Sequence, residues 1–483
     1  MKKKLIIAFF LCLVINRVSS QTTFNVTVKD TVYDHQVCDA VELPSGNIIH
    51  VDSKGIPPSD VCSRVLKINT EGTVILQKDV RYADLPSVLG SITLNAENNL
   101  ILSGVVPDPG SYKLWICTMD TDLNVISDKI YSLRGYNLAV SKITITTNKD
   151  IICFGTVKDT SFNTPFAFIY RLSPDLDSIQ LKVFNAHWAW GMDLLERNDN
   201  FGFYFVVFGY STGMQDPGKI ISLDNLFNIR QVIVMPNIFN FSTIKYTDAK
   251  HLLVSGEYNY RYPSTDKRDI GVLCYDTLFN VMHSKEFGKR DTEDFPGLLK
   301  NISFTGIHSI FIGGTSNMGY SEFTQQDSWY MLNNADSSLE LNWQKYYGGD
   351  GFYNLYGVIA TKDSGCFMYG TVWDYHHTQN YTRYLSLIKV TNEGMLLSVN
   401  KDPSLQAHEA ILYPNPGNNQ LFVRTELKNS EILFNTIDGM DVCREKLLPG
   451  INSLDVKSLK PGMYIYKIIQ NSQAKEYGKW IKE

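Results

Sequence analysis

The sequence predicts an all-β chain, a seven-bladed β-propeller followed by a small immunoglobulin-like β-sandwich. Three observations lead there. Tyr and Phe are abundant, 27 and 25 in 483 residues, and aromatics total 12%, a composition suited to strands. Hydrophobic residues at 44% with charged residues at 20% fit a packed core and exclude extended disorder. A short apolar strand ending in Gly then recurs about every fifty residues, the period of a propeller blade. The formal charge is −5, from 45 Lys and Arg against 50 Asp and Glu. No basic domain stands out, which argues against a nucleic-acid partner.

The N-terminus reads as an address. Lys2, Lys3 and Lys4 precede an apolar run from Leu5 to Ile15, and Val18-Ser19-Ser20 supplies the small residues of a cleavage site ahead of Gln21. Residues 1–20 are therefore expected to be a signal peptide. The run is too short for a lasting bilayer span, and no later apolar run is long enough, so no transmembrane segment is expected in the mature chain.

The propeller is expected over residues 21–403. Its repeat reads NLILSGV at Gly104, DIICFGT at Gly155, YFVVFGY at Gly209, HLLVSGE at Gly256, SIFIGGT at Gly314 and GCFMYGT at Gly370, with Asp52 of NIIHVDS in the Gly place. A strand such as VSKITIT precedes each. A variable loop, a third strand ending in a polar turn (TMDTDLN, SLDNLFN, CYDTLFN) and a fourth strand such as VISDKIY follow. One four-stranded sheet cannot bury both faces by itself, so such sheets pack radially and share cores. Closure must join the last sheet to the first or leave bare edges. Phe24–Lys29 reads as a fourth strand for the last sheet, and LLSVNKD (396–402) competes for that place; the sequence leaves the closure open.

Seven of the eight cysteines follow the signal segment. Cys117, Cys153, Cys274 and Cys366 fall at repeated positions in apolar strands, which marks them as small buried hydrophobes. Cys38 and Cys62 flank one hairpin and are the candidate disulfide. Cysteine and histidine spacings of zinc type are missing, and no metal or other cofactor is expected.

Catalytic motifs are weak. Gly209-Tyr210-Ser211-Thr212-Gly213 matches G-x-S-x-G, but loop residues follow it where a nucleophile elbow needs a helix. Asp120, Asp122, Asp224 and Asp276 recur at one hairpin turn, where such side chains cap backbone N–H groups, and their spacing is not that of a calcium loop. No catalytic residue is assigned.

In a propeller, loops from each fourth strand to the next first strand share one end of the ring with loops from second to third strands. Trp188, Trp190, Tyr258, Tyr260, Tyr262, Trp373, Tyr375, His376 and His377 fall in these loops. They are the candidate ligand-binding residues, because aromatic faces stack on sugar rings and anchor protein partners. The competing reading is that the same rings form local core over the sheet ends. Adjacent His376 and His377 make a poor metal pair, since neighbours in extended backbone point apart.

The segment LNWQKYYGGDGFYNLYGVIATKDSGCFMYGT (341–371) resembles secreted propeller-type repeats whose units read W-x-K-x-(Y/F)-G-G … D-(G/S)-G-(Y/F) … G-T. That resemblance implies the fold and says little about chemistry.

After a linker at 404–411, residues 412–483 are expected to form the sandwich. LFVRTEL, EILFNTI, VCREKLL, INSLDV, MYIYKIIQ and EYGKWIKE read as strands, with turns at Asp438-Gly439, Pro449-Gly450 and Pro461-Gly462. Tyr413-Pro414-Asn415-Pro416 opens the segment. Asp438 and Gly439 follow in IDGMDVCREKL, then Leu459, Pro461, Gly462 and Tyr464 in LDVKSLKPGMYIYKI, and GKWIKE ends it. In that order these stretches resemble the type A C-terminal sorting domain of the type IX secretion system of Bacteroidetes. Met440 and Cys443 depart from the usual pattern. The resemblance implies export across the inner membrane, passage through the outer membrane, and removal of the tail by a surface sortase. The expected partners are thus the secretion machinery and sortase, and the expected location is the cell surface or the medium. For the propeller, a non-catalytic binding or adhesion module for glycan or protein is expected. The alternative is a polysaccharide-active hydrolase or lyase with its site on the ring's central face.

Overall fold

The structure is a computed structural model, which describes residues 21–29, 33–56, 60–109, 111–133, 135–159, 164–184, 189–211, 214–240, 243–258, 267–289, 291–319, 323–378, 381–396, 410–425, 427–436, 439–471 and 473–483. The expected signal peptide and most of the expected linker lie outside these residues. Every regular element described is a strand.

Seven antiparallel sheets follow one another in the chain. From the axis outward, the first runs Asp34–Glu42, Ile48–Ile56, Asp60–Ile68, Val74–Val80, and the second Val88–Leu94, Leu100–Asp108, Ser111–Met119, Val125–Tyr131. The third is Tyr136–Ile145, Ile151–Asp159, Pro165–Leu172, Ser178–Val183, and the fourth Trp190–Glu196, Gly202–Phe208, Lys219–Asp224, Ile229–Val234. The fifth is Thr243–Tyr246, His251–Tyr258, Asp269–Asp276, Val281–Phe287. The sixth has its inner strand in two pieces, Phe295–Pro296 and Ile302–Gly306, before Ser309–Ser316, Trp329–Ala335 and Leu341–Gly348. The seventh is Phe352–Ala360, Cys366–Trp373 and Tyr384–Val390, completed on its outer edge by Phe24–Val28. Each sheet packs on the next, and the seventh packs on the first. The chain thus folds into a β-propeller. Its N-terminal strand takes the place for which LLSVNKD competed in the sequence; Leu396 is irregular, and 397–402 lie outside the described residues.

The cores lie between sheets. Val51 and Val65 meet Leu102 and Trp115 between the first and second. Phe154 and Ile169 meet Phe205 and Ile221 between the third and fourth. Burying each such side chain contributes about 1.5–3 kcal/mol.

The repeat Gly has a steric cause. Inner strands carry a one-residue bulge, at Gly90 in the second sheet and Tyr356 in the seventh. The bulge drives the inner backbone against its partner strand. A Cβ on Gly104 would lie 2.1 Å from the Val88 carbonyl oxygen, one on Gly370 2.1 Å from that of Asn354, and one on Gly314 2.2 Å from that of Phe295. In the first sheet Asp52 stands there instead, opposite Val37. Its carboxylate is buried and bonded by His35 Nδ1 at 2.8 Å and by Arg64 at 3.0 Å.

A belt of polar side chains links the inner strands. Each accepts a backbone N–H from the following sheet: Asp39 from Ile92 (3.1 Å), Ser91 from Ile143 (3.3 Å), Asp193 from Ile244 (2.9 Å), Thr243 from Asn301 (3.5 Å) and Ser303 from Ala360 (2.9 Å). At the ring's closure Tyr369 donates its hydroxyl to Asp39 at 3.1 Å, Lys362 N–H binds Glu42 at 3.0 Å, and Arg383 binds Asp34 through two nitrogens at 3.1 and 2.6 Å.

The expected Cys38–Cys62 disulfide is corrected: both thiols are free and buried. Cys38 lies on the bulge of the innermost strand and Cys62 on the third, with Ile48–Ile56 paired between them. Two strand spacings, roughly 9.5 Å, exceed the Cα separation of about 7 Å that a disulfide tolerates. Cys117, Cys153 and Cys274 lie within the cores. Burial, helped by Asp128, pushes the Cys117 thiol up to about 12.

The C-terminal body is a sandwich of two sheets. One is Ala410–Tyr413, Gln420–Thr425, Gly450–Asp455; the other is Asp441–Leu447, Ser430–Thr436, Gly462–Gln470, Gln473–Lys482, in that spatial order. Leu421, Val423, Ile432, Phe434, Ile468 and Trp480 form its core.

Candidate functional site

The tail motifs occupy one structural clasp. The opening Tyr413–Pro416 stretch lies along the last strand. Trp480 is fully buried and donates its indole N–H to the Pro414 carbonyl at 2.9 Å. Asn415 accepts from Ile481 N–H at 3.0 Å and donates to the Lys479 carbonyl at 2.8 Å. Gly417 N–H reaches the Ile481 carbonyl at 2.9 Å, and a Cβ there would sit 2.7 Å from the Pro414 oxygen. The peptides preceding Pro414 and Pro416 are cis, and Tyr413 stacks on Phe422. At the other end of the motif set, Tyr464 is buried and donates its hydroxyl to the Lys460 carbonyl at 2.7 Å, fixing the turn that holds Pro461 and Gly462, while Leu459 is buried in the core. Gly462 and Gly439 take positive φ, 154° and 90°, which Gly adopts without steric cost. Asp438 lies outside the described residues. The beginning and end of the segment therefore meet in space, and its middle shapes the turns.

On the propeller, the structure brings together part of the expected aromatic set. Trp373 ends the second strand of the seventh sheet and is only 2% exposed. Tyr381, 67% exposed, stacks over it with ring centroids 5.4 Å apart and planes at 26°. Phe323, from the sixth sheet's loop, meets both rings edge-on at 5.3 Å. Tyr375 tilts against Trp373 at 5.6 Å, and the Arg383 guanidinium lies 5.3 Å from the Phe323 ring. Trp373 is therefore the floor of this cluster, and Tyr381 is its open face.

Polar groups flank the rings. Asp327 accepts from the Tyr375 hydroxyl at 2.8 Å and lies 2.7 Å from His376 Nε2. Burial would raise the Asp327 carboxyl, but these two bonds and the histidine charge outweigh it and hold it below the usual range. Burial, then the bond to Asp327 and its charge, push the Tyr375 hydroxyl up to about 12. His377 instead contacts Asp374, Nδ1 to Oδ1 at 2.8 Å. The adjacent histidines thus serve separate carboxylates, and no group of three metal-ligating side chains occurs among the described residues.

Other expected residues sit apart. Trp190 begins the fourth sheet, half-buried. Tyr258 ends the second strand of the fifth, where Asn237 reaches its hydroxyl at 3.5 Å. Trp188, Tyr260 and Tyr262 lie outside the described residues. Ser211 belongs to a two-residue strand paired antiparallel with Met214–Gln215, so a strand stands where an elbow needs a helix. The turn aspartates cap backbone: Asp224 accepts from Leu226 and Asn228 N–H at 2.9 and 2.8 Å, and Asp276 from Leu278 and Asn280 at 2.8 Å each. Asp120 does the same, while Asp122 pairs with Lys67. Sequence reasoning missed Phe323, Asp327, Tyr381 and Arg383. Their loops share no motif, and only the ring's curvature brings sheets six and seven together there.

Residues 411–483 match the family described as the secretion system C-terminal sorting domain. The tail is a type IX sorting domain. The chain that carries this sorting domain is a secreted or cell-surface protein. Among the described residues no helix is long and apolar enough to cross a membrane. No curated protein matches the chain. Solved structures similar to it include a Bacteroides caccae protein of unknown function, 9% identical, covering 59% of this chain and 89% of its own at a TM-score of 0.36. A Kuenenia stuttgartiensis hydrazine synthase is 10% identical over 73% of this chain and 95% of its own, with a TM-score of 0.46. A subtype N10 neuraminidase-like protein of A/little yellow-shouldered bat/Guatemala/060/2010 is 13% identical over 77% and 94%, with a TM-score of 0.34.

Proposed function

We propose that the propeller, residues 21–403, is a non-catalytic binding module that the sorting domain, residues 412–483, delivers to the surface of a Bacteroidetes cell. Its ligand is a glycan or protein docking on the loop-bearing end of the sixth and seventh sheets. The exposed Tyr381 ring, held flat on buried Trp373 and braced by Phe323, carries this reading. An aromatic face fixed by its neighbours loses little entropy on binding. The carboxylates described around it are already engaged, Asp34 by Arg383 and Asp327 by Tyr375 and His376, which favours binding over the hydrolase or lyase alternative. A glycan array and surface-protein capture with the mature chain test it. Tyr381→Ala and Trp190→Ala are compared with wild type. Binding lost with Tyr381→Ala alone supports the site; binding unchanged in both variants rejects this end of the ring.

A further inference from the structure

Charged side chains from five sheets converge on the axis of the ring. Asp39 belongs to the inner strand of the first sheet, Lys142 to the third, Asp193 to the fourth and Lys245 to the fifth. Lys300 comes from the stretch 297–301 that interrupts the sixth. That stretch leaves its own sheet: Leu299 N–H bonds the Tyr356 carbonyl at 2.8 Å, and Val358 N–H bonds the Lys300 carbonyl at 2.8 Å. From there Lys300 Nζ reaches Asp39 at 2.7 Å. Lys142 Nζ binds the Met192 carbonyl at 2.6 Å and that of Leu299 at 3.3 Å, spanning from the third sheet to the sixth. Single side chains thus bridge the lumen, so the free space at this level is small.

The charges do not balance. Three ammonium groups face two carboxylates, and both carboxylates are used. Asp39 accepts from Ala40 N–H, the Ser91 hydroxyl, Ile92 N–H, the Tyr369 hydroxyl and Lys300. Asp193 accepts from Leu194 and Ile244 N–H at 2.9 Å each. Lys142 is held by carbonyl oxygens, and Lys245 is the ammonium left without a hydrogen bond among the described residues. Ile244 packs into the core between the fourth and fifth sheets. Thr243 and Lys245, on the other face of the strand, turn toward the sixth sheet, where Thr243 meets Asn301. Among the described residues Lys245 has neither a hydrogen-bond partner nor an ion-pair partner. Lys245 is partly buried. Burial holds the Lys245 and Lys142 pKa values below the ordinary lysine range, Asp193 and Asp39 opposing that shift and Lys300 adding to it. A charge in that position is costly unless a counter-charge joins it.

We propose that the axial channel binds one small monovalent anion, of halide size, on the ammonium of Lys245. One negative charge restores neutrality to the cluster, and a bridged lumen excludes anything much larger. The anion would fasten the fifth sheet to the sixth and first through Lys300 and Asp39, and it is independent of the ligand proposed for the loop-bearing end.

The test uses the mature full chain. Thermal melts in sodium bromide or chloride are compared with sodium gluconate, whose anion is too bulky, at fixed pH and ionic strength. A ligand that binds only the folded state raises the melting temperature with its concentration. The expected result is a rise of several degrees in bromide or chloride that is absent in gluconate and abolished in Lys245→Met. Crystals grown in bromide provide a measurement that needs no variant: an anomalous peak beside Lys245 Nζ is expected. Equal halide dependence in wild type and Lys245→Met, or a channel without bromide, overturns the proposal.

Discussion

Replacing Asp39 by alanine tests the polar belt where it also closes the ring. The carboxylate is 2% exposed and accepts from Ile92 N–H at 3.1 Å and the Tyr369 hydroxyl at 3.1 Å, joining the first sheet to the second and the seventh. Alanine leaves both donors without an acceptor, at about 1–3 kcal/mol each. The Ser91 hydroxyl can rotate and adds little. The Lys300 side chain is 36% exposed, so water recovers most of that pair and its loss adds no more than about 1 kcal/mol. Asp39→Ala should therefore destabilise the protein by roughly 2–7 kcal/mol, a large share of the 5–15 kcal/mol typical of a folded domain. Asp39→Asn keeps the shape and one carbonyl acceptor and should cost about 1–2 kcal/mol. Urea unfolding followed by the fluorescence of Trp115, buried between the first two sheets, gives both numbers. If both variants stay within about 0.5 kcal/mol of wild type, the belt does not hold the sheets together and the reasoning fails.

Other outcomes follow from the same geometry. Gly370→Ala places a Cβ 2.1 Å from the Asn354 oxygen and 2.5 Å from the Tyr330 hydroxyl. A loss of about 2–4 kcal/mol is expected, read as a lowered urea midpoint, whereas Gly439→Ala, with nothing within 4 Å, should lose less despite its positive φ. His50 is fully buried without a hydrogen-bond partner, and burial lowers its pKa to about 4, Asp52 opposing and Arg64 assisting. Because the folded state resists protonation, this stability is complete above the unfolded pKa near 6.5 and falls as pH drops toward 4. The loss is about 3 kcal/mol over that window, and His50→Leu should flatten that part of the stability–pH curve. In the tail, Trp480→Ala removes a fully buried ring and orphans the Pro414 carbonyl. A cost of about 3–5 kcal/mol should unfold the sandwich, and cell fractionation should then find the protein in the periplasm, as with deletion of residues 411–483. Surface display of either form at wild-type level would contradict the clasp's role.

The repeat was legible because one steric event recurs in it. Where the inner strands of the second and seventh sheets bulge, the facing residue has lost its Cβ, and Gly104 and Gly370 record that in plain sequence. A second signature was harder to see. The outer turns need a residue with positive φ, and Leu123, Phe227 and Leu339 supply it with φ of 64°, 57° and 63°. Each is almost wholly buried, so side-chain burial offsets a backbone conformation that usually selects Gly. The partner of the seventh sheet could not be chosen from periodicity, since Phe24–Val28 and the stretch after Met395 are both plausible edge strands. The axial lysines were invisible for another reason. Lys142, Lys245 and Lys300 sit in unrelated local sequences, and only closing the ring brings them to one line. The sequence reading puts Trp373 in a loop, whereas it ends a strand, and the rings that pack on it, Phe323 and Tyr381, carry no motif that marks them.

The N-terminal strand as final stave has a consequence for how the protein matures. Gln21 and Thr22 bond Asp363, 342 and 341 residues away, and Thr22 also bonds Lys389, 367 residues away. No translation product that stops short of the seventh sheet can complete that circle, and the address label begins about twenty residues beyond the last piece required. A nascent polypeptide cut short before the tag lacks it whether or not its ring is complete, so the machinery that reads the tag sees only chains long enough to have closed.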